Sequence, residues 1–365
     1  MKVEITPFGL FNRQQAFKYT FTTVKGASCA ITNLGGAIIS IRVPDKKGVI
    51  DNVVLGFDDV KQYAKNPGFL GALIGPVGNR ISGAKFKFNN KNYAFTPNEN
   101  GETLLHSVPF GFDRQLWDAS VEACADKAVL TLKHFFANKE TGFPGDLDVT
   151  VKYTFCEDNT LRIDYMAQSD APSFLSPTNH TYFNIAGTGK KNVPGVGRQT
   201  VQIFADKYTE VKEGCIPVRN ANVEGTPFDL RQGVKLSDGF QYEKDNRQMQ
   251  LGSGYDHNYI LSQQIDLTGL RPAAVVSDRI SGREMRVYTD MPAVQLYTAN
   301  HLRRYNAQEK RWYGKRKALC LETQCTPDSI HHVGEDGFDV MTLDREHPFH
   351  SATVYAFGLM KPDKK

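Results

Sequence analysis

Apolar and polar residues alternate along much of this chain. Val149, Val151, Tyr153 and Phe155 alternate with Thr150, Lys152 and Thr154. A Glu-Asp-Asn turn follows, and then Leu161, Ile163 and Tyr165 alternate with Arg162 and Asp164. A period of two puts one set of side chains on a single face, so the segment predicts a hairpin with one apolar side. Lys85–Phe88 and Tyr93–Phe95 flank Asn89-Asn90-Lys91-Asn92 and predict another hairpin. Val129–His134 predicts a further strand, while helical patterning is short and best between Asp58 and Lys65. Many short strands with turn signals between them argue for an all-β sandwich or barrel. With no internal repeat or long linker, one domain over 1–365 is expected.

Composition narrows the class. The 365 residues are ample to bury a core, and 40% hydrophobic against 23% charged residues describe a soluble globular chain. The 31 glycines, 23 phenylalanines and 15 tyrosines favour strands and tight turns. A net charge of +4, with scattered basic residues, gives no nucleic-acid-binding stripe. No run of ~18 apolar residues predicts a membrane span. Met1–Leu10 has no apolar core of signal-peptide length, so a cytoplasmic setting is expected. Cys29, Cys124, Cys156, Cys215, Cys320 and Cys325 form no Cys-x-x-Cys pair and no zinc spacing, and are expected to be reduced thiols. No dinucleotide fingerprint, phosphate loop or Gly-x-Ser-x-Gly elbow is present, so neither cofactor nor metal is expected.

Candidate chemistry concentrates in a few stretches. Asn179, His180, Tyr182 and Asn184 put an imidazole, a phenol and two amides within six residues. Histidine is the side chain best suited to move protons near neutral pH, although a strand with a satisfied histidine would read the same. Arg80 lies between Asn79 and a small-residue turn and could fork toward ligand oxygens, or be a surface arginine. His106 precedes Gly111-Phe112-Asp113 and Trp117, and Asp256 follows a Gly-Ser-Gly turn. A carboxylate accepts several hydrogen bonds, but aspartate is also a common turn former. Gln295 and Tyr297 alternate with Val294, Leu296 and Thr298 on one predicted strand. Glu322 sits in an apolar run, where an anion is costly unless hydrogen-bonded and its pKa becomes suited to proton transfer; an edge-strand glutamate is the other reading.

The order of residues in these stretches resembles the aldose 1-epimerase (galactose mutarotase) family. The matching strings are Asn79-Arg80-Ile81, Leu105-His106 with Gly111-Phe112-Asp113 and Trp117, Asn179-His180-Thr181-Tyr182-Phe183-Asn184-Ile185, Tyr255-Asp256-His257-Asn258, Gln295-x-Tyr-Thr-x-Asn300, and Leu321-Glu322-Thr-Gln-x-x-Pro327-Asp328. They occur in family order between about Asn33 and Phe357. The resemblance implies a large, mostly antiparallel β-sandwich, a free monosaccharide as substrate and no cofactor. It implies His180 as general acid and Glu322 as general base of sugar ring opening, with Glu322 ionised and His180 protonated. Arg80, His106, Asp256 and Gln295 would hold sugar hydroxyls, supported by Asn79. The chain departs from the family at Pro76, where many members carry arginine and which is a candidate for a cis bond. It departs again at Ser107-Val108 in place of two glycines, and at Ser329-Ile330-His331-His332. Two other readings stay open: a hexose-6-phosphate mutarotase, hinted at by Arg303-Arg304, and a non-catalytic sugar-binding protein.

Overall fold

A computed structural model of the chain describes residues 1–190, 192–262, 264–303 and 312–361, with the backbone of 305–306. Strands dominate, and three larger antiparallel sheets organise the described residues. The largest has nine strands, in the order Asp118–Ala123, Lys127–Phe136, Leu147–Cys156, Thr160–Ser169, Phe349–Leu359, Arg283–Thr289, Arg271–Asp278, Thr200–Ile203 and Val234–Lys235. The predicted Val149 and Leu161 hairpin lies within it, with Val151 opposite Tyr165 and Tyr153 opposite Ile163. Leu147, Val149, Val151, Tyr153 and Phe155 are buried, and the residues between them are not. Val129–His134 falls inside the Lys127–Phe136 strand.

The sheet that carries the chemistry has five strands: Ile216–Asn222, Ala205–Lys212, Asp256–Leu261, Ala293–Tyr297 and Cys320–Gln324. It packs on the nine-stranded sheet. Val294, Leu296 and Leu321 share one core with Val151, Ile163 and Tyr355. The Tyr355 hydroxyl donates to the Leu321 carbonyl at 3.2 Å, and the Thr323 and Thr353 hydroxyls meet at 2.5 Å. Each such buried aliphatic or aromatic side chain stabilises the sandwich by about 1.5–3 kcal/mol relative to exposure. A third sheet takes the first five strands, Lys2–Phe11 to Ile50–Asn52, in sequence order.

The predicted helix forms at Val60–Lys65, capped by Asp59, whose carboxylate accepts the Lys61 N–H at 2.6 Å. The second predicted hairpin is tighter than its asparagine-rich run suggested. Its strands are Lys85–Phe88 and Lys91–Ala94, and only Asn89 and Asn90 turn, at φ 46° and 62°. Two successive positive φ values match the twist of a two-residue hairpin, and asparagine tolerates them. Among the described residues, no helix is long and apolar enough to cross a membrane.

Candidate active site

The stretch around His180 is only briefly a strand. Thr178–Asn179 pairs with Leu73–Ile74, after which His180 donates its N–H to the Ala72 carbonyl at 2.9 Å and accepts from the Gly71 N–H at 3.0 Å. Phe183 then exchanges backbone hydrogen bonds with Leu319, at 2.7 and 2.9 Å. That exchange lays the segment beside the start of the Cys320–Gln324 strand. His180 Nε2 consequently stands 3.7 Å from Glu322 Oε1, with both side chains buried. The imidazole is stacked on Tyr182 and Phe69, at centroid separations of 5.0 and 6.0 Å, and His106 meets it edge-on at 5.3 Å. Its Nδ1 lies 3.5 Å from the Cys320 sulfur. Asn179, the acceptor of an apparent glycosylation sequon, is buried.

Strand register brings up the rest of the wall. Asn258 lies opposite Gln295 and Gln295 opposite Glu322, so one polar row crosses three strands. Asp256 begins the first of these strands, and Gln295 Nε2 donates to its Oδ1 at 2.7 Å. The turn before Asp256 needs its glycine: Gly254 has φ +130°, and a Cβ there would approach Asn300 Oδ1 to 2.6 Å. Asn300 donates in turn to the Gly252 and Tyr255 carbonyls at 2.8 and 2.9 Å, which explains why the Gln295 to Asn300 string ends in an amide.

Arg80 and His106 arrive as a pair. The two-residue strands Arg80–Ile81 and Leu104–Leu105 pair, with Leu105 opposite Arg80. Asn79, at φ +61°, donates its N–H to His106 Nδ1 at 3.1 Å and accepts the His106 N–H at 2.9 Å. The Arg80 guanidinium does not present an open fork. Nε and Nη2 donate to the two Glu99 oxygens at 2.7 and 2.8 Å, and Nη1 reaches Asn79 Oδ1 at 3.3 Å. Asp328 fastens the same segment, donating its N–H to the Arg80 carbonyl and accepting from the Ser82 N–H, at 3.1 and 2.9 Å. His331, one of the departures, holds Asp328 Oδ1 at 2.6 Å and the Lys85 carbonyl at 2.9 Å. Ser107, another departure, takes φ +57°, and its hydroxyl accepts the Val77 N–H and donates to the Val77 carbonyl at 3.0 and 2.8 Å. The Gly75–Pro76 bond is cis.

These groups line a cavity of about 490 Å³ that includes Asn79, Arg80, Glu99, His106, His180, Asp256 and Glu322, with Phe69, Tyr297 and Arg303 around them. Gln295 lines a small adjoining recess with Asn258 and Cys215 instead, its Nε2 held by the Asp256 carboxylate and its Oε1 without a partner among the described residues. Arg304 lies outside the described residues. Glu99, Phe69 and His301 were not foreseen. Glu99 sits in Pro97-Asn98-Glu99-Asn100-Gly101, which reads as a plain polar turn, and nothing local marks Phe69 or His301.

Burial sets the protonation. It lowers His180 to about 4, and it raises Glu322 to about 8, helped by the Asp256 charge and opposed by Arg80. In the free protein near neutral pH the pair therefore holds one proton, on Glu322, and His180 is neutral. The expected reacting form, with Glu322 ionised and His180 protonated, is one proton transfer from this state, because neither ion is solvated and Glu322 Oε2 has no partner among the described residues. His106 is kept neutral first by burial and then by the Arg80 charge, and any proton taken up by His180 would disfavour a second one on His106. Burial opposes the Arg80 charge most, but the Glu99 hydrogen bonds together with the Asp256 and Glu99 charges outweigh it and hold the guanidinium protonated. Burial raises Asp256, against Arg80 and Gln295.

His106, His180 and Glu322 offer ligand atoms within 4.8 Å of one another, a spacing a metal ion could accept. The His106 tautomer argues otherwise. Its Nδ1 accepts the Asn79 N–H, so a neutral ring carries its hydrogen on Nε2, whereas a metal needs an unprotonated nitrogen. The cluster suits donation to a ligand oxygen better than metal ligation.

Known structures share this architecture. A galactose 1-epimerase from Lactobacillus acidophilus superposes with a TM-score of 0.83 at 25% identity, covering 99% of each chain. An aldose epimerase homologue from C. elegans gives 0.82 at 25% identity, over 94% of this chain and 98% of that one. The fold is thus galactose mutarotase-like, with His180 and Glu322 buried side by side against a polar cavity. At the level of sequence, the model of the aldose 1-epimerase family matches residues 18–355. The galactose mutarotase of Bos taurus is 35% identical over 303 residues, 82% of this chain and 83% of that protein. The aldose 1-epimerase of Escherichia coli is 33% identical over 312 residues, 84% and 85% of the two chains. The chain belongs to the aldose 1-epimerase family and is an isomerase.

Proposed function

We propose that the chain interconverts the α and β anomers of free aldohexoses such as galactose and glucose, with His180 and Glu322 as the acid–base pair. The observation that carries this reading is the 3.7 Å approach of His180 Nε2 to Glu322 Oε1 in one polar cavity. The two oxygens to be served, O1 and O5, are bonded to the same carbon, so an acid and a base must converge on one anomeric centre. In the reacting form the pair's single proton stands on His180, one transfer away from its resting place. Glu322 takes the proton from the O1 hydroxyl while His180 gives its Nε2 proton to O5. The C1–O5 bond breaks and O1 becomes the aldehyde oxygen. After rotation about C1–C2, the O5 hydroxyl adds to the other face, returning its proton to His180 as Glu322 restores the proton to O1.

Around this pair, His106 donates from Nε2, Asp256 accepts, and Arg80 offers the remaining Nη1 hydrogen, each to a sugar hydroxyl; Asn79 and Gln295 orient them. These groups make and break no bonds, and the stacked Tyr182 and Phe69 keep the imidazole from turning. We further propose a single catalytic domain, working in the cytoplasm, where six unpaired thiols are at home.

The test is polarimetry of EDTA-treated, dialysed protein with fresh α-D-galactose and α-D-glucose. Approach to anomeric equilibrium faster than in buffer is expected. A rate equal to buffer would point to a binding protein, and activity confined to hexose 6-phosphates would point to a phosphosugar enzyme.

A further inference from the structure

Arg80 is the one described cation in the deep wall of the cavity, and Glu99 occupies it. The guanidinium and the carboxylate meet in a two-point contact at 2.7 and 2.8 Å, with the two side chains only 12% and 20% exposed. A planar fork matched to a carboxylate in this way is a recognition site already filled from within the chain. The other carboxylates on the wall are Asp256 and Glu322, while His106 and His180 are held neutral by burial. The wall therefore carries one positive charge against two negative ones, before Glu322 ionises. Arg303, the other lining arginine, is exposed and screened by solvent.

We propose that Glu99 is a specificity-determining residue: by clamping Arg80 it admits neutral aldoses and turns away sugars that bear a carboxylate or phosphate. The inference rests on the anomer-interconverting reading of the cavity but concerns charge, not acid–base chemistry. A hydroxyl can share Nη1 of Arg80 with Asn79 Oδ1, which is 3.3 Å away. An anion would need Nε and Nη2 as well, and it would have to displace Glu99 and lie beside Asp256. Like charges brought together in a buried wall are strongly unfavourable, and this is how an enzyme rejects a close analogue of its substrate.

The experiment compares D-galactose with D-galacturonate and D-galactose 6-phosphate. Anomer exchange is followed by NMR and affinity by calorimetry, in wild type, Glu99→Gln and Glu99→Asp. Wild type should favour galactose over either anion by on the order of 100-fold in kcat/KM and in Kd. Glu99→Gln unmasks the guanidinium and should narrow that ratio by at least roughly tenfold, mainly through tighter anion binding. Glu99→Asp keeps the charge and should keep the rejection, even if KM for galactose rises. An unchanged ratio in Glu99→Gln, or equal loss of rejection in Glu99→Asp, overturns the proposal. Failure of wild type to exchange galactose anomers would remove the catalytic reading instead, and the calorimetric ratios would still decide the role of Glu99.

Discussion

Glu322→Gln preserves the shape of a side chain that is 2% exposed and removes its titration. In the wild-type fold, burial and then the Asp256 charge raise this carboxyl from an ordinary 4.5 to about 8. An unfolded chain ionises it near 4.5, so between there and about 8 the folded protein keeps a proton the unfolded one has released. The sign follows: this residue's contribution to stability is full below 4.5 and is lost as pH rises to about 8. The whole swing is on the order of 5 kcal/mol, and roughly 2–5 kcal/mol once the surroundings adjust to the ion. Glutamine has no such loss. Urea unfolding of both proteins from about pH 5 to about pH 9 should show a difference in favour of the variant that grows with pH and then levels off. His180, lowered to about 4, works in the opposite sense below 6.5, but it does so in both proteins and cancels from the difference. The same substitution should lower kcat by about 10²–10⁴. A stability difference independent of pH, or one favouring wild type at the alkaline end, would refute the account of a buried, proton-holding glutamate.

The pH–rate profile of the free enzyme should be a bell with limbs near about 4, where His180 gains a second proton for the pair, and about 8, where Glu322 loses the last one; monotonic dependence across that range would contradict a pair sharing one proton. His180→Ala should lower kcat by about 10²–10⁴ and leave circular dichroism unchanged. Arg80→Ala and Asp256→Ala should raise KM more than they lower kcat, by the equivalent of about 1.5–3 kcal/mol, and wild-type kinetics in both would place the sugar elsewhere. Ser107→Ala should cost about 1–3 kcal/mol in thermal or urea unfolding, because it keeps a side chain at positive φ and strips Val77 of both hydroxyl bonds; Ser107→Gly, which relieves the backbone, should cost less.

Much of the fold was legible in the sequence, because a sheet with one buried face writes its period of two into the chain. Alternation over Val149–Phe155 and Leu161–Tyr165 placed the strands Leu147–Cys156 and Thr160–Ser169, and helical patterning over Asp58–Lys65 placed the Val60–Lys65 helix. The site residues were named by the order of their neighbours, since asparagine, histidine, arginine or glutamate on a strand looks the same whether it binds a sugar or faces water. Tertiary structure decided what those residues do to one another. Only strand register sets Gln295 between Asn258 and Glu322, and only the Phe183–Leu319 exchange carries His180 to Glu322. Only the meeting of separate segments lets Glu99 take two of Arg80's donors and ties Gln295 Nε2 to Asp256. The protonation pattern is likewise a property of the assembled site. Desolvation depends on what the whole chain stacks around a group, and here it favours the neutral form of both His180 and Glu322.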